Sequence, residues 1–265
     1  MDRVIIFHFH LFKNAGTSVD EILKANFKEK WVTKEFQYDP YHENVKEVIH
    51  WISKEKEMIA FSSHTARLFD PIILEKDYGI KMIPIIFVRH PIVRIHSAYL
   101  FERNVQKDLD TLETAIARNT SLKGYCEIRW HLPNDHQCKN FHIHRFSDMF
   151  FDEEGALLEK ALKALDTLPF VGLVEKFEDS LKKLEQIVKK YFPEFKAFNV
   201  FENVQFVQYR SLEERLSKIE KEVGKKFYQK LIKANKEDIE FWEEVFKRYE
   251  RGDFKITMED ISNET

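Results

Sequence analysis

The chain has 265 residues, 43% hydrophobic and 33% charged, enough to bury a sizeable core in a single domain spanning 1–265. Its net charge of −3 lacks the basic excess of a general nucleic-acid binder, so a polyanion site has to be a local basic pocket. Two cysteines, Cys126 and Cys138, are too few for a disulfide framework, and their spacing from His131, His136 and His142 matches no standard metal site, so reduced thiols and no metal are expected.

Val4, Ile5, Ile6 and Phe7 read as a buried strand. Val19, Ile22, Leu23 and Phe27 then fall at helical spacing, giving a helix over 17–30 packed by one face. Between them lies the loop Lys13, Asn14, Ala15, Gly16, Thr17, Ser18. A strand, a short loop and a helix N-terminus hold phosphate-like anions, because free backbone N–H groups point at the ligand and the helix dipole favours negative charge. Lys13 adds a cation, Thr17 and Ser18 add hydroxyl donors, and Gly16 permits close backbone approach. The loop is not a Walker A motif: Lys13 precedes Thr17 by four positions instead of one, and the loop has a single glycine. His8 and His10 share one face of the strand. Both are read as structural, with His10 the one able to reach a nucleotide or acceptor.

Residues 31–56 read as a connection with a short helix, interrupted by Pro40. Its aromatics, Trp31, Phe36, Tyr38, Tyr41 and Trp51, are read as packing along the connection, with a substrate cleft as the second reading. Residues 58–63 form the second predicted strand, which ends at Ser63, His64 and Thr65. Residues 83–88 form another, followed by Arg89-His90-Pro91-Ile92-Val93-Arg94-Ile95-His96-Ser97-Ala98-Tyr99. Pro91 suits the first turn of a helix, where its missing N–H has no intrahelical acceptor. Arg89 then sits at a strand end and Ser97 about two turns along the helix. Lys13, Arg89 and Arg94 are the expected cations of the basic pocket.

Residues 105–150 are polar, with a helical patch near 109–117 and a loop carrying Cys126, Trp130, Pro133 and Cys138. Residues 169–174 read as a short strand, and 181–191 as a helix whose acidic start suits its dipole. From Ser211 the chain is helical and charged, a helical portion of about 205–255 with breaks at Gly224 and Asn235. Its charge is read as a solvated face. Strands alternating with helices imply a three-layer α/β fold with a mostly parallel sheet, whose ligands bind at the carboxyl ends of the strands.

The Lys-x-x-Gly-Thr-Ser core of residues 13–18 resembles the 5′-phosphosulfate loop of sulfotransferases that use 3′-phosphoadenosine-5′-phosphosulfate (PAPS). Arg89-x-Pro91-x-x-Arg94-x-x-Ser97-x-Tyr99 resembles the 3′-phosphate site of the same enzymes, and the resemblance is closest to heparan-sulfate O-sulfotransferases and their bacterial relatives. It implies a phosphate-loop architecture and PAPS as co-substrate with no metal. Lys13 to Ser18 would hold the phosphosulfate, and Arg89 and Ser97 the 3′-phosphate. His64 resembles the histidine that closes the second strand in the 2-O-sulfotransferase branch, where it takes the acceptor proton. Ser62 stands where relatives with a His-x-His pair carry the first histidine, and His90 where many carry an acidic or amide residue. Glu102 and Glu175 are weaker candidates for the base. The segments 140–146, with Arg145, and 201–204 resemble elements bordering the acceptor and the nucleotide, and 171–177 resembles a segment common in the branch.

The implied reaction is sulfuryl transfer to a hydroxyl, with a carbohydrate acceptor suggested by the branch. The alternatives are an ATP/Mg-dependent small-molecule kinase and a non-catalytic nucleotide-binding protein. Against the kinase stand the missing Gly-Lys-Ser/Thr and the missing metal-binding acid after an apolar strand. With no signal peptide and no apolar span apparent, a cytoplasmic location is expected, in which the glycosylation patterns at Asn119 and Asn263 carry no meaning. The acceptor's identity and the oligomeric state are not legible.

Overall fold

The computed structural model describes residues 3–37, 44–198 and 211–252. Tyr38, Pro40, Tyr41, the 201–204 segment and Asn263 lie outside the described residues.

The chain opens on β1 (Arg3–Phe9), whose residues from Ile5 to Phe9 are all buried. A strand buried on both faces is what a continuous apolar run gives at the centre of a parallel sheet. After α1 (Gly16–Phe27) come β2 (Trp31–Thr33), α2 (Val45–Lys54), β3 (Ala60–Ser63), α3 (Ile72–Tyr78) and β4 (Ile80–Val88). The sheet order is β2-β3-β1-β4-β5, every pairing parallel, with β5 (Gly172–Leu173) at the far edge. From β1 the chain therefore goes to the edge strand β2, returns inward to place β3 beside β1, and then crosses to the other side of β1 for β4. Such a switch point opens a crevice at the carboxyl ends of β3, β1 and β4.

Register fixes what meets there. Phe9 pairs with Ser63 and with Ile86. The residues just past β1 and β3, His10 and His64, consequently emerge side by side, with the His10 N–H donating to the Ser63 carbonyl at 2.9 Å.

Beyond β4 lie α4 (Pro91–Asn104), α5 (Leu112–Asn119), α6 (Leu122–Arg129), α7 (Phe141–Ser147), α8 (Leu157–Thr167) and α9 (Phe177–Lys189). The C-terminal part is α10 (Leu212–Val223), α11 (Lys225–Ala234) and α12 (Lys236–Arg251), separated at Gly224 and Asn235 as the sequence indicated. The main core covers the sheet. A second apolar cluster joins Ile92, Ile95 and Tyr99 of α4 to Tyr125 and Cys126 of α6 and to Ile219 and Leu231 of α10 and α11.

Several elements differ from the sequence reading. The second strand in chain order is Trp31–Thr33, too short to show a period-2 pattern, so residues 58–63 contain the third. Cys126 lies in a helix, because the apolar residues Leu122, Tyr125 and Cys126 pack one face inward. Both cysteines are free and buried. Phe36 and Trp51 are core residues whose rings meet at 5.6 Å. The packing reading of the 31–51 aromatics therefore applies to these two, and they do not line a cleft.

Candidate active site

The loop after β1 turns sharply. Lys13 and Ala15 both have φ of 63°, the left-handed region, which costs a side-chain-bearing residue about 1–2 kcal/mol. Strain of this kind persists where the surroundings over-determine it. Asn14 is one such anchor. It is buried, its Nδ2 donates to the Phe12 carbonyl at 3.0 Å, and its Oδ1 lies 3.0 Å from His142 Nε2. Gly16 is another. A Cβ added there would stand 2.0 Å from the His10 ring, so that ring packs directly on the glycine's Cα.

The loop, β3 and β4 close around a cavity of about 450 Å³. Among the residues read as the site, Lys13, Ala15, Gly16, Thr17, His64, Arg89 and Ser97 line it. Asn14 and Ser18 are not among its lining residues: Asn14 faces His142, and Ser18 is buried in the first turn of α1.

Lys13 Nζ stands 3.7 Å from the centre of the Phe101 ring, a cation–π contact on the cavity wall. Burial, with Arg89 nearby adding like-charge repulsion, pushes its ammonium down to about 8. Arg89, buried at the end of β4, is pushed down to about 10 chiefly by burial, and its Nη1 donates to the Lys13 carbonyl at 3.5 Å. Two cations lining one cavity, each feeling burial and Lys13 also the repulsion of Arg89, favour an anion beside them. Arg94 does not contribute. It is fully buried, donates to Gln137 Oε1 at 3.1 Å and lies over the Phe141 ring at 4.0 Å. The sequence pattern put it on the same helix as Ser97, but on the face that packs inward.

The cavity is also lined by His10, His64 and Glu35, with His8 and Asp20 behind His10. His8 and His10 each place Nδ1 2.7 Å from a different oxygen of Asp20. His64 packs against His10 with ring centres 3.8 Å apart and the planes tilted by 31°, and its Nδ1 lies 2.7 Å from Glu35 Oε1. Burial pushes His10 down to about 4 despite the Asp20 bond, so it is neutral at pH 7. Burial alone would raise the Asp20 carboxyl, but the two rings hold it well below the usual carboxylate range. His64 goes the other way, raised by its Glu35 hydrogen bond against the opposing effect of burial. Among the described residues, His8, His10 and Asp20 are the metal-type cluster, their donor atoms within 4.8 Å of one another. In the structure both ring N–H groups are taken up by the carboxylate.

The other candidate bases have structural partners. Glu102 is buried against Arg129 at 3.1 Å. Glu175 accepts the His90 N–H at 2.9 Å at the start of α4 and the Trp242 indole N–H at 3.2 Å. Arg145 reaches the site's rim, donating to the His64 carbonyl at 2.7 Å. Sequence reasoning missed Glu35, Phe12, Phe101 and Gln106. Glu35 lies in a polar stretch with no motif around it, and only the sheet register carries it to His64. Phe101 did leave a signal, one turn beyond Ser97 on the helix that follows the arginine.

Among the described residues, no helix is long and apolar enough to cross a membrane. The chain is 56% identical over 254 residues to an uncharacterized protein of Archaeoglobus fulgidus, a match covering 95% of this chain and 100% of that one. Residues 2–246 match the model of the sulfotransferase family. A match over nearly the whole length, on an all-parallel sheet with a phosphate-type loop after its first strand, shows that this chain belongs to the sulfotransferase family, whose members draw a sulfuryl group from PAPS.

Proposed function

We propose that the chain transfers the sulfuryl group of PAPS to a carbohydrate hydroxyl, releasing 3′-phosphoadenosine-5′-phosphate (PAP), as a relative of the heparan-sulfate O-sulfotransferases. One observation carries this reading. Lys13, Gly16 and Thr17 after β1, His64 after β3, and Arg89 with Ser97 after β4 all face a single cavity of about 450 Å³. That volume falls in the range of small-molecule sites, roughly 300–1,000 Å³.

In this reading the Lys13 ammonium, the Thr17 hydroxyl and the N–H groups opening α1 hold the 5′-phosphosulfate. Lys13 stabilises the negative charge that develops on the bridging oxygen as the sulfur–oxygen bond breaks. Arg89 and Ser97 hold the 3′-phosphate, a guanidinium being suited to two phosphate oxygens at once. His64 takes the acceptor's hydroxyl proton as the new oxygen–sulfur bond forms. The site needs no metal for this chemistry, and the missing Gly-Lys-Ser/Thr sequence further favours sulfuryl over phosphoryl transfer. A cytoplasmic setting is part of the same proposal.

The test supplies isotope-labelled PAPS with polysaccharide, lipid and small-molecule hydroxyl acceptors and follows label into product. Transfer to a polysaccharide is expected, and Lys13→Ala should slow it about 100- to 1,000-fold while the protein still melts cooperatively. Label entering only lipid or small-molecule acceptors would overturn the carbohydrate assignment. Turnover unaffected by Lys13→Ala would overturn the role of the loop.

A further inference from the structure

We propose that Glu35 is a positioning residue for His64, holding the ring with Nδ1–H on its carboxylate so that the lone pair of Nε2 serves the cavity. The inference rests on the reading of His64 as the base and adds to it a residue that no sequence pattern marks.

The geometry is over-determined for a surface ion pair. Both partners are about half exposed, at 50% and 48%, and an isolated pair of that kind is worth little. Glu35, however, is pinned independently of the ring. It accepts the His64 backbone N–H at 3.1 Å and 3.3 Å on its two oxygens, the Thr65 hydroxyl at 2.8 Å, and the Ser63 hydroxyl at 3.4 Å. The end of β3 thus fixes the carboxylate first, and the carboxylate then fixes the ring through Nδ1 at 2.7 Å. His64 Nε2 has no hydrogen-bond partner among the described residues, and the side chain lines the cavity. From the other side the ring rests on His10, itself tied by Asp20 and packed on Gly16 of the lysine loop. The plane of His64 is therefore set relative to the loop that would hold the transferring group.

A neutral imidazole donates from one nitrogen and accepts at the other. With Nδ1–H committed to Glu35, Nε2 is the acceptor, the form a general base requires. The charged and titratable groups facing His64 are Glu35, Asp20 and His10, which is neutral, together with Arg145 on the rim. The two carboxylates favour the protonated ring and Arg145 opposes them.

The test is nitrogen-15 histidine NMR on the full chain, with His64 assigned by its loss in His64→Asn, alongside the pH profile of kcat. In the unmodified chain His64 should sit in the Nδ1–H tautomer and titrate above 6.5. In Glu35→Gln the tautomer should mix, and the midpoint and the acidic limb of kcat should move together to lower pH. Turnover should drop, with KM for PAPS little changed. Thr65→Val removes a different bond to the same carboxylate. It should lower the melting temperature as a loop defect does while leaving the His64 tautomer in place. An unchanged tautomer and midpoint in a folded Glu35→Gln protein would overturn the proposal. So would a Thr65→Val protein that reproduces the Glu35→Gln shifts, since the effect would then be loop disorder. The NMR result is independent of turnover, so failure of the sulfotransfer reading would show separately, as PAP failing to bind the unmodified chain.

Discussion

Gly16 illustrates how one residue ties the lysine loop to the histidines of the site. Its lack of a side chain serves less to admit a ligand than to admit the His10 ring, which a Cβ would meet at 2.0 Å. Gly16→Ala should therefore destabilise the protein by about 1–3 kcal/mol through overpacking and weaken PAP binding by displacing the loop. In a His10→Ala background much of the stability cost should vanish, because the colliding atoms are gone. A double-mutant cycle by chemical denaturation measures that coupling. Equal costs in both backgrounds would contradict the contact. At this scale the sequence was informative about residue types and silent about neighbours. Lys13, Arg89 and Ser97, read from strand-to-helix junctions and a family resemblance, do come to line one cavity. Glu35 was not legible, because its partner is 29 residues away and joins it only through sheet pairing. Asn14 looked like part of the anion loop, yet its side chain turns toward His142.

Among the elements, α12 reaches the lysine loop through α7. Asp238 of α12 is fully buried, and its oxygens accept the backbone N–H groups of His142 at 3.0 Å and Ile143 at 2.9 Å, with His142 Nδ1 at 2.9 Å. His142 then meets Asn14. Burial alone would raise the Asp238 carboxyl, but His142 and the α7 amides hold it below its usual range. Asn235, just ahead, accepts the N–H of Asn140 across 95 residues of sequence. Asp238→Ala strands several buried donors, each costing about 1–3 kcal/mol when left unsatisfied, and should be strongly destabilising. It should also lower PAP affinity by loosening Asn14. Denaturation and PAP titration of the same variant check both, and lost stability with unchanged affinity would break the link from α12 to the loop. The breaks at Gly224 and Asn235 were readable from composition. That Asn235 and Asp238 cap a helix formed far earlier in the chain was not, since capping across such a distance leaves no local periodicity.

For the whole molecule, buried and half-buried histidines set the acid limit of the fold. Burial lowers His10, His90, His96 and His144 each to about 4 from an ordinary 6.5. Between those values the unfolded chain binds more protons than the native one, so stability falls as pH falls from about 6.5 toward 4. His64, raised in the fold, works weakly in the opposite sense. Asp20 and Asp238, both held low, add a further loss once the pH drops through the ordinary carboxylate range. The melting temperature should accordingly decline well before carboxylates titrate, and a flat profile from pH 6.5 to 5 would contradict this account. At the same scale, the parallel sheet and the gathering of motifs at strand ends followed from where apolar runs stop. The three-residue strand Trp31–Thr33 left no pattern, whereas the two-residue edge strand Gly172–Leu173 falls inside the apolar run 169–174 that marks it.

The most direct measurement of the central claim is thermal denaturation with PAP, with ADP, and with ATP and magnesium. A ligand that binds only the folded state, at 100 times its Kd, stabilises by about 2.7 kcal/mol. PAP should raise the melting temperature and ADP, which lacks the 3′-phosphate, should not, with the PAP effect lost in Arg89→Ala. Stabilisation by ATP and magnesium with none by PAP would contradict the assignment of this cavity to PAPS.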